Sequence, residues 1–126
     1  MPVIIEPTEN EQLTKITLSG SVPLRELIKS VNAYGKAGPT RLELYDAREL
    51  EGERFSAGEI DMLVDYFRKY PDRRPPGSKT AIVVSKTVDI GIARMFSILL
   101  DGVVSFRIEA FRSVGKALEW LTSAHP

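Results

Sequence analysis

Between residues 13 and 122 the chain switches repeatedly between two hydrophobic periods. Short segments are apolar at every second position, or apolar throughout. Longer ones repeat their apolar residues at i, i+3, i+4 and i+7. The first period belongs to a strand half-buried on one face, the second to a helix with one buried stripe. Alternating the two over about thirty residues at a time is how a chain builds parallel strands joined by helical crossovers.

The segments read in order. Val3-Ile4-Ile5 is a short β-branched run ended by Pro7, and Leu13 to Ser19 is a second strand that pairs with it as a hairpin. Ser21 and Pro23 mark a helix entry, and Leu24, Leu27, Ile28 and Val31 form its stripe. Gly35 and Gly38-Pro39 end it. Arg41 to Tyr45 is a third strand, and Asp46 to Arg54 reads as a charged loop. Ser56 to Tyr70 is a helix with Ile60, Leu63, Val64 and Phe67 inward, followed by a rigid polar connection from Pro71 to Gly77. The unbroken Ala81-Ile82-Val83-Val84 run suits a central strand covered on both faces. A helix from Thr87 to about Leu100 stops near Gly102. Val103 to Phe111 is a fifth strand with one wetter face, which suits an edge. Ser113 to Thr122 is a last helix, with Val114, Ala117, Leu118 and Leu121 as its stripe. The order ββαβαβαβα predicts a three-layer α/β domain spanning residues 1–126. Its mixed five-stranded sheet is expected to carry helices on both faces.

Composition removes several activities. With 17 basic and 17 acidic residues the formal net charge is zero, which argues against a nucleic-acid partner. No cysteine is present, so disulfides, thiolate catalysis and cysteine-ligated metals are excluded. No apolar run approaches the ~20 residues of a membrane span, and the first seven residues do not resemble a signal peptide, so the cytoplasm is the expected compartment. The single histidine, His125, sits next to the C-terminal residue, which disfavours a Ser–His–Asp triad or a histidine metal site. No glycine-rich phosphate loop follows a strand. No cofactor, metal or catalytic set is expected.

The segments Thr80-Ala81-Ile82-Val83-Val84, Ile92-Ala93-Arg94-Met95-Phe96, Phe106 to Phe111 and Ala117-Leu118-Glu119-Trp120-Leu121 resemble the closing half of the SpoIIAA-like family, a bacterial branch of the STAS-like fold. The resemblance extends over nearly the whole chain in element order. The best-known STAS domains are anti-sigma-factor antagonists with a phosphorylatable serine in an Asp-Ser-Ser-Gly-like motif after the third strand. By that resemblance Ser56, in Phe55-Ser56-Ala57-Gly58, matches the phospho-acceptor and Gly58 the glycine, with Phe55 in place of the acidic residue.

Ser56 also has a purely structural reading. With Glu59 three residues on, it forms the signature of a capping box. A phosphate there would sit at the positive end of the helix dipole, so the two readings occupy the same place.

The helix from Thr87 to Leu100 is apolar nearly all round and holds Arg94 as its only basic residue. One stripe, Ile92, Met95, Phe96 and Leu99, is expected to face the sheet, which leaves Ile90 and Ile98 elsewhere on the wheel. A helix apolar on more than one side needs a second cover: a neighbouring helix, a second subunit or an apolar ligand. Each further isoleucine buried is worth about 1.5–3 kcal/mol, and symmetric dimers are the commonest oligomers. Met62, Tyr66 and Tyr70 form an i, i+4 row that would line a groove with this helix.

The remaining groups read as scaffold or solvated surface. Asp46, Glu49, Glu51 and Glu53, mixed with Arg48 and Arg54, fit a solvated loop. Arg73-Arg74 fit a stiff exposed turn between prolines, and Trp120 fits the core margin. The functional expectation is a non-catalytic binding or regulatory module. It would engage a homodimer mate, a protein partner or a small apolar ligand near the third helix, through Ile90, Arg94, Met95, Ile98, Met62 and Tyr66. The alternatives are a regulator phospho-switched at Ser56 and, third, a cryptic enzyme.

Overall fold

The computed structural model describes residues 3–8, 12–37, 39–51, 55–70 and 74–123. The elements run β1 (Val3–Pro7), β2 (Leu13–Gly20), α1 (Leu24–Ala37), β3 (Leu42–Leu50), α2 (Ala57–Lys69), β4 (Lys79–Val83), α3 (Thr87–Leu100), β5 (Arg107–Phe111) and α4 (Val114–Thr122). One five-stranded sheet has the order β1-β2-β3-β4-β5. The β1–β2 pair is antiparallel and every other pair parallel.

Strands that advance one place at a time in one direction send every right-handed crossover over the same face. The three crossover helices accordingly lie on one side. There α1 packs on Ile16 and Leu18 of β2, α3 packs against β5, and α2 packs against its two neighbouring helices. The last helix returns to no strand and escapes that rule. It covers β3 and β4 from the opposite side, placing Ala117 and Leu121 on Leu42, Leu44, Ala81 and Val83.

Two strand bounds differ from the sequence reading. The charged stretch Asp46–Leu50 is not a loop but the second half of β3. It pairs with the end of β2 (Ser19↔Glu49, Gly20↔Leu50) past a register shift after Thr17. Its charge is accommodated because Arg48 donates to both Asp46 carboxylate oxygens, at 2.9 and 2.8 Å. The fifth strand begins only at Arg107. Val103 and Val104 instead close the turn after α3, where their N–H groups donate to the Leu100 carbonyl and Gly102 takes a left-handed φ of 81°.

Smaller departures concern α1. Its first hydrogen bond ends on the Pro23 carbonyl, so Pro23, not Ser21, stands at the cap, and the helix runs through Gly35 to Ala37. Glu53, Arg54, Arg73 and His125, weighed in the sequence, lie outside the described residues.

Candidate functional site

Beneath the helical layer lies a cavity of about 1010 Å³, bounded by the sheet, α1, α2 and α3. Its volume is at the upper end of the range found for small-molecule sites. It exists because α2 bridges α1 and α3 like an arch. Leu63 joins the cluster under α1, whereas Ile60 and Val64 join Leu100 of α3 in a separate cluster. Phe55, Phe67 and Phe96 pack against both clusters and also line the cavity. Leu18, Ile82, Phe55, Phe67, Phe96 and Phe106 supply much of its apolar wall.

Strand pairing lays two rows of side chains across the floor. One is Ile16–Tyr45–Ile82–Ala110. The other is Thr14–Glu43–Thr80–Ile108, a polar line through the middle of a covered sheet face. Glu43 is 6% exposed at its side chain and is paired with Arg74, 3% exposed, at 3.1 Å. The Arg74 guanidinium also donates to Thr80 Oγ1 at 2.6 Å and to the carbonyls of Thr40, Arg41 and Lys79. Thr80 in turn donates to Glu43 Oε1. Phe106 lies against the guanidinium, 4.3 Å from ring centroid to Cζ. A charge this deep persists only when paired and hydrogen-bonded, and both members of this pair are.

Three tyrosines surround that network. Tyr34 bonds to Thr40, and Tyr66 donates to Asn32 Oδ1 at 3.2 Å. Tyr45 stands in the row beside Glu43. Burial, and then the Glu43 carboxylate, push its hydroxyl well above the ordinary tyrosine range. Burial raises Tyr34 and Tyr66 as well. All three stay neutral hydrogen-bonding groups at physiological pH.

The sequence-derived site is only partly assembled here. Tyr66 and Tyr70 line the cavity together with Ile92 and Phe96 of α3. Met62 does not: it is exposed on the outer side of α2. The inward stripe of α3 is Ile92, Ala93, Phe96 and Leu100, whereas Met95 and Leu99, expected to face the sheet, are exposed. Ser97 accounts for that rotation, because its hydroxyl donates to the Ile108 carbonyl of β5 at 2.9 Å and turns its side of the helix to the sheet. Ile98 is 73% exposed and Arg94 is exposed, while Ile90 is half-buried.

Ser56 forms the complete capping box. Its Oγ accepts from the Glu59 N–H and Glu59 Oε1 accepts from the Ser56 N–H, both at 3.1 Å. Trp120 packs at the margin of the α4-side core, and Lys79 Nζ, buried beneath it, donates to the Trp120 carbonyl at the C-terminal end of α4.

Arg74 is the main correction. It is not on an exposed turn but at the centre of the floor network. Its signal lay in Glu43, an acid flanked by Leu42 and Leu44 in a strand with neighbours on both sides. A central parallel strand is covered on both faces, so that acid had to be buried and had to find a cation.

No family model matches the chain, and no curated protein matches it in sequence. Solved structures do. One is an uncharacterized protein from the DUF3478 family with a SpoIIAA-like fold, from Shewanella loihica PV-4. It is 16% identical, with a TM-score of 0.61, over 94% of this chain and 91% of that one. The fold is SpoIIAA-like. An anti-sigma factor antagonist from Mycobacterium paratuberculosis shares the SpoIIAA-like architecture at 11% identity and a TM-score of 0.61, over 96% of this chain and 93% of its own. Likeness of this kind speaks for the fold, and function has to be argued from the site itself. Among the described residues no helix is long and apolar enough to cross a membrane, and no group of three His, Asp or Glu side chains is placed to hold a metal ion.

Proposed function

We propose that this protein is a non-catalytic binding module whose ligand is a small apolar molecule held between the α1–α3 layer and the sheet. The cavity carries the reading. A helical layer that spans about 1010 Å³ with a mostly aromatic and aliphatic lining has left apolar surface unburied, and a complementary ligand recovers that burial at about 25 cal/mol per Å². The floor supports binding over catalysis, since Glu43, Arg74 and Thr80 are engaged with one another.

Titration with Nile red, an uncharged apolar dye, tests the reading. A saturable, one-site rise in emission is expected from the wild type. Ala47→Trp, which places an indole in the cavity, is expected to abolish that rise while the protein still melts cooperatively. A folded wild type that gives no saturable signal ends this proposal.

The outer side of α3 favours a second reading. Val88, Met95, Ile98 and Leu99 lie exposed along it, a surface that a second copy or a protein partner would cover. An anti-sigma factor antagonist among the structural neighbours is in keeping with such a regulatory role, for which Ser56 at the start of α2 is the candidate phospho-acceptor. Light scattering at micromolar concentration distinguishes the two readings. A dimer that Ile98→Asp dissociates supports the second, and a monomer unaffected by that change leaves the cavity as the working site.

A further inference from the structure

Resting on the cavity reading, we infer that the ligand is an uncharged amphiphile, an apolar body carrying one hydroxyl or carbonyl oxygen, and that the Tyr45 hydroxyl binds that oxygen at the cavity floor. Three observations converge on this.

The first is the Tyr45 hydroxyl itself. It belongs to the floor row between Ile16 and Ile82 and lines the cavity. The neighbouring polar groups have partners inside the protein: Tyr34 with Thr40, Tyr66 with Asn32, and Thr80 with both Glu43 and Arg74. Among the described residues none bonds to the Tyr45 hydroxyl, and none of the described buried side-chain nitrogen or oxygen atoms lacks a partner. The hydroxyl is therefore a polar group open to the cavity. A ligand without an oxygen there would strip it of hydrogen bonding altogether, which is costly.

The second is the state of Arg74. Its Nε–H faces Thr40 O, its Nη1 faces Thr80 Oγ1 and Glu43 Oε1, and its Nη2 faces Arg41 O and Lys79 O. Each N–H direction of the guanidinium already meets an acceptor. No fork remains for the bidentate grip that an arginine gives a carboxylate or phosphate.

The third is the sign of the local field. Glu43 occupies the row next to Tyr45, and its negative charge acts on the Tyr45 oxygen more strongly than the opposing positive charge of Arg74. An anionic head brought to that depth would meet like charge in a low-dielectric setting with its counter-cation already committed. The other cations on the cavity lining, Arg25, Lys29 and Lys36, belong to the exposed side of α1, away from the floor.

The test compares dodecanol, dodecanoate and dodecane, the acid below its micellar concentration and the other two below their aqueous solubility, as competitors of Nile red on the intact chain. Dodecanol is expected to bind at least tenfold more tightly than dodecanoate. Tyr45→Phe is expected to weaken dodecanol by about three- to tenfold, the worth of one neutral hydrogen bond, and to leave dodecane unchanged. The wild-type preference for alcohol over acid does not depend on how well the variant folds. Dodecanoate binding as tightly as dodecanol overturns the head-group assignment while leaving the cavity reading intact. So does a folded Tyr45→Phe protein that binds dodecanol unchanged. If none of the three displaces the dye, and the dye itself does not saturate, the cavity reading fails and this inference falls with it.

Discussion

On the α4 side of the sheet, Leu42, Leu44, Ala81 and Val83 meet Ala117 and Leu121 in one continuous cluster, several members of which have no exposed surface. On the α1–α3 side the same strands present Glu43, Tyr45, Thr80 and Ile82. There the buried apolar residues divide into two clusters bridged by Phe55, Phe67 and Phe96, which also line the cavity. A single helix laid directly on the sheet closes its face. Three helices that lean partly on one another do not, because α2 satisfies its stripe on α1 and α3 and has no need to descend. The difference teaches that one helix seated on the sheet fills its core with its own side chains, whereas helices that lean on one another leave a cavity over the strands.

The largest effect that bears on this contrast is at the polar row. Arg74→Ala leaves the Glu43 carboxylate buried without its cation and is expected to cost about 3–5 kcal/mol, read by denaturant titration. The Glu43→Leu/Arg74→Met pair is expected to recover most of that. A single variant that loses under about 1 kcal/mol, well short of the cost of stranding a buried charge, means that water reaches the row.

Next comes the closed face. Leu121→Ala is expected to cost about 2–5 kcal/mol, since it opens a void in a filled core. Phe96→Ala, which removes more atoms from a wall already beside a cavity, is expected to cost less. Equal or reversed costs erase the contrast between the faces.

The arch depends on how α2 begins. Ser56→Ala deletes half of the capping box and is expected to cost about 1 kcal/mol, visible as a lowered melting temperature.

The smallest effect lies in the acid limb. Hydrogen bonds from Arg48 hold the Asp46 carboxyl below its ordinary value. Its contribution is therefore present above the unfolded aspartate pKa and is lost as the pH falls through the folded one. Melting curves collected from neutral to strongly acidic pH are expected to show Asp46→Asn flattening that decline. A variant whose acid limb matches the wild type removes Asp46 from the account.

Much of the closed face was readable along the chain and less of the arched one. The alternation in β3 and the stripe Val114, Ala117, Leu118 and Leu121 place the α4 core directly, because each apolar residue there meets a single partner surface. In the α3 stripe Ile92 and Phe96 face inward as the pattern predicts, but Ala93 and Leu100 take the inward places expected for Met95 and Leu99. The apolar residues of this helix run almost all round, so the pattern leaves the rotation undetermined until the Ser97–Ile108 hydrogen bond sets it. Asp46 to Leu50 carries a loop's composition and a strand's conformation, since pairing with β2 outweighs local preference.

The amino-acid order alone determined the succession of strands and helices, the hairpin at the start, the central place of Ala81 to Val83 and the cap at Ser56. These depend on residues a few positions apart, whose spacing is itself the physical cause. Only the tertiary structure decided that Arg74 turns inward to Glu43, that Tyr45 opens onto a cavity, and that α2 stands off the sheet. Those outcomes rest on groups brought together from more than twenty residues apart, such as Glu43 and Thr80 or Tyr66 and Asn32. A charge pair or a void is a property of the assembled surfaces and of no local stretch of the chain.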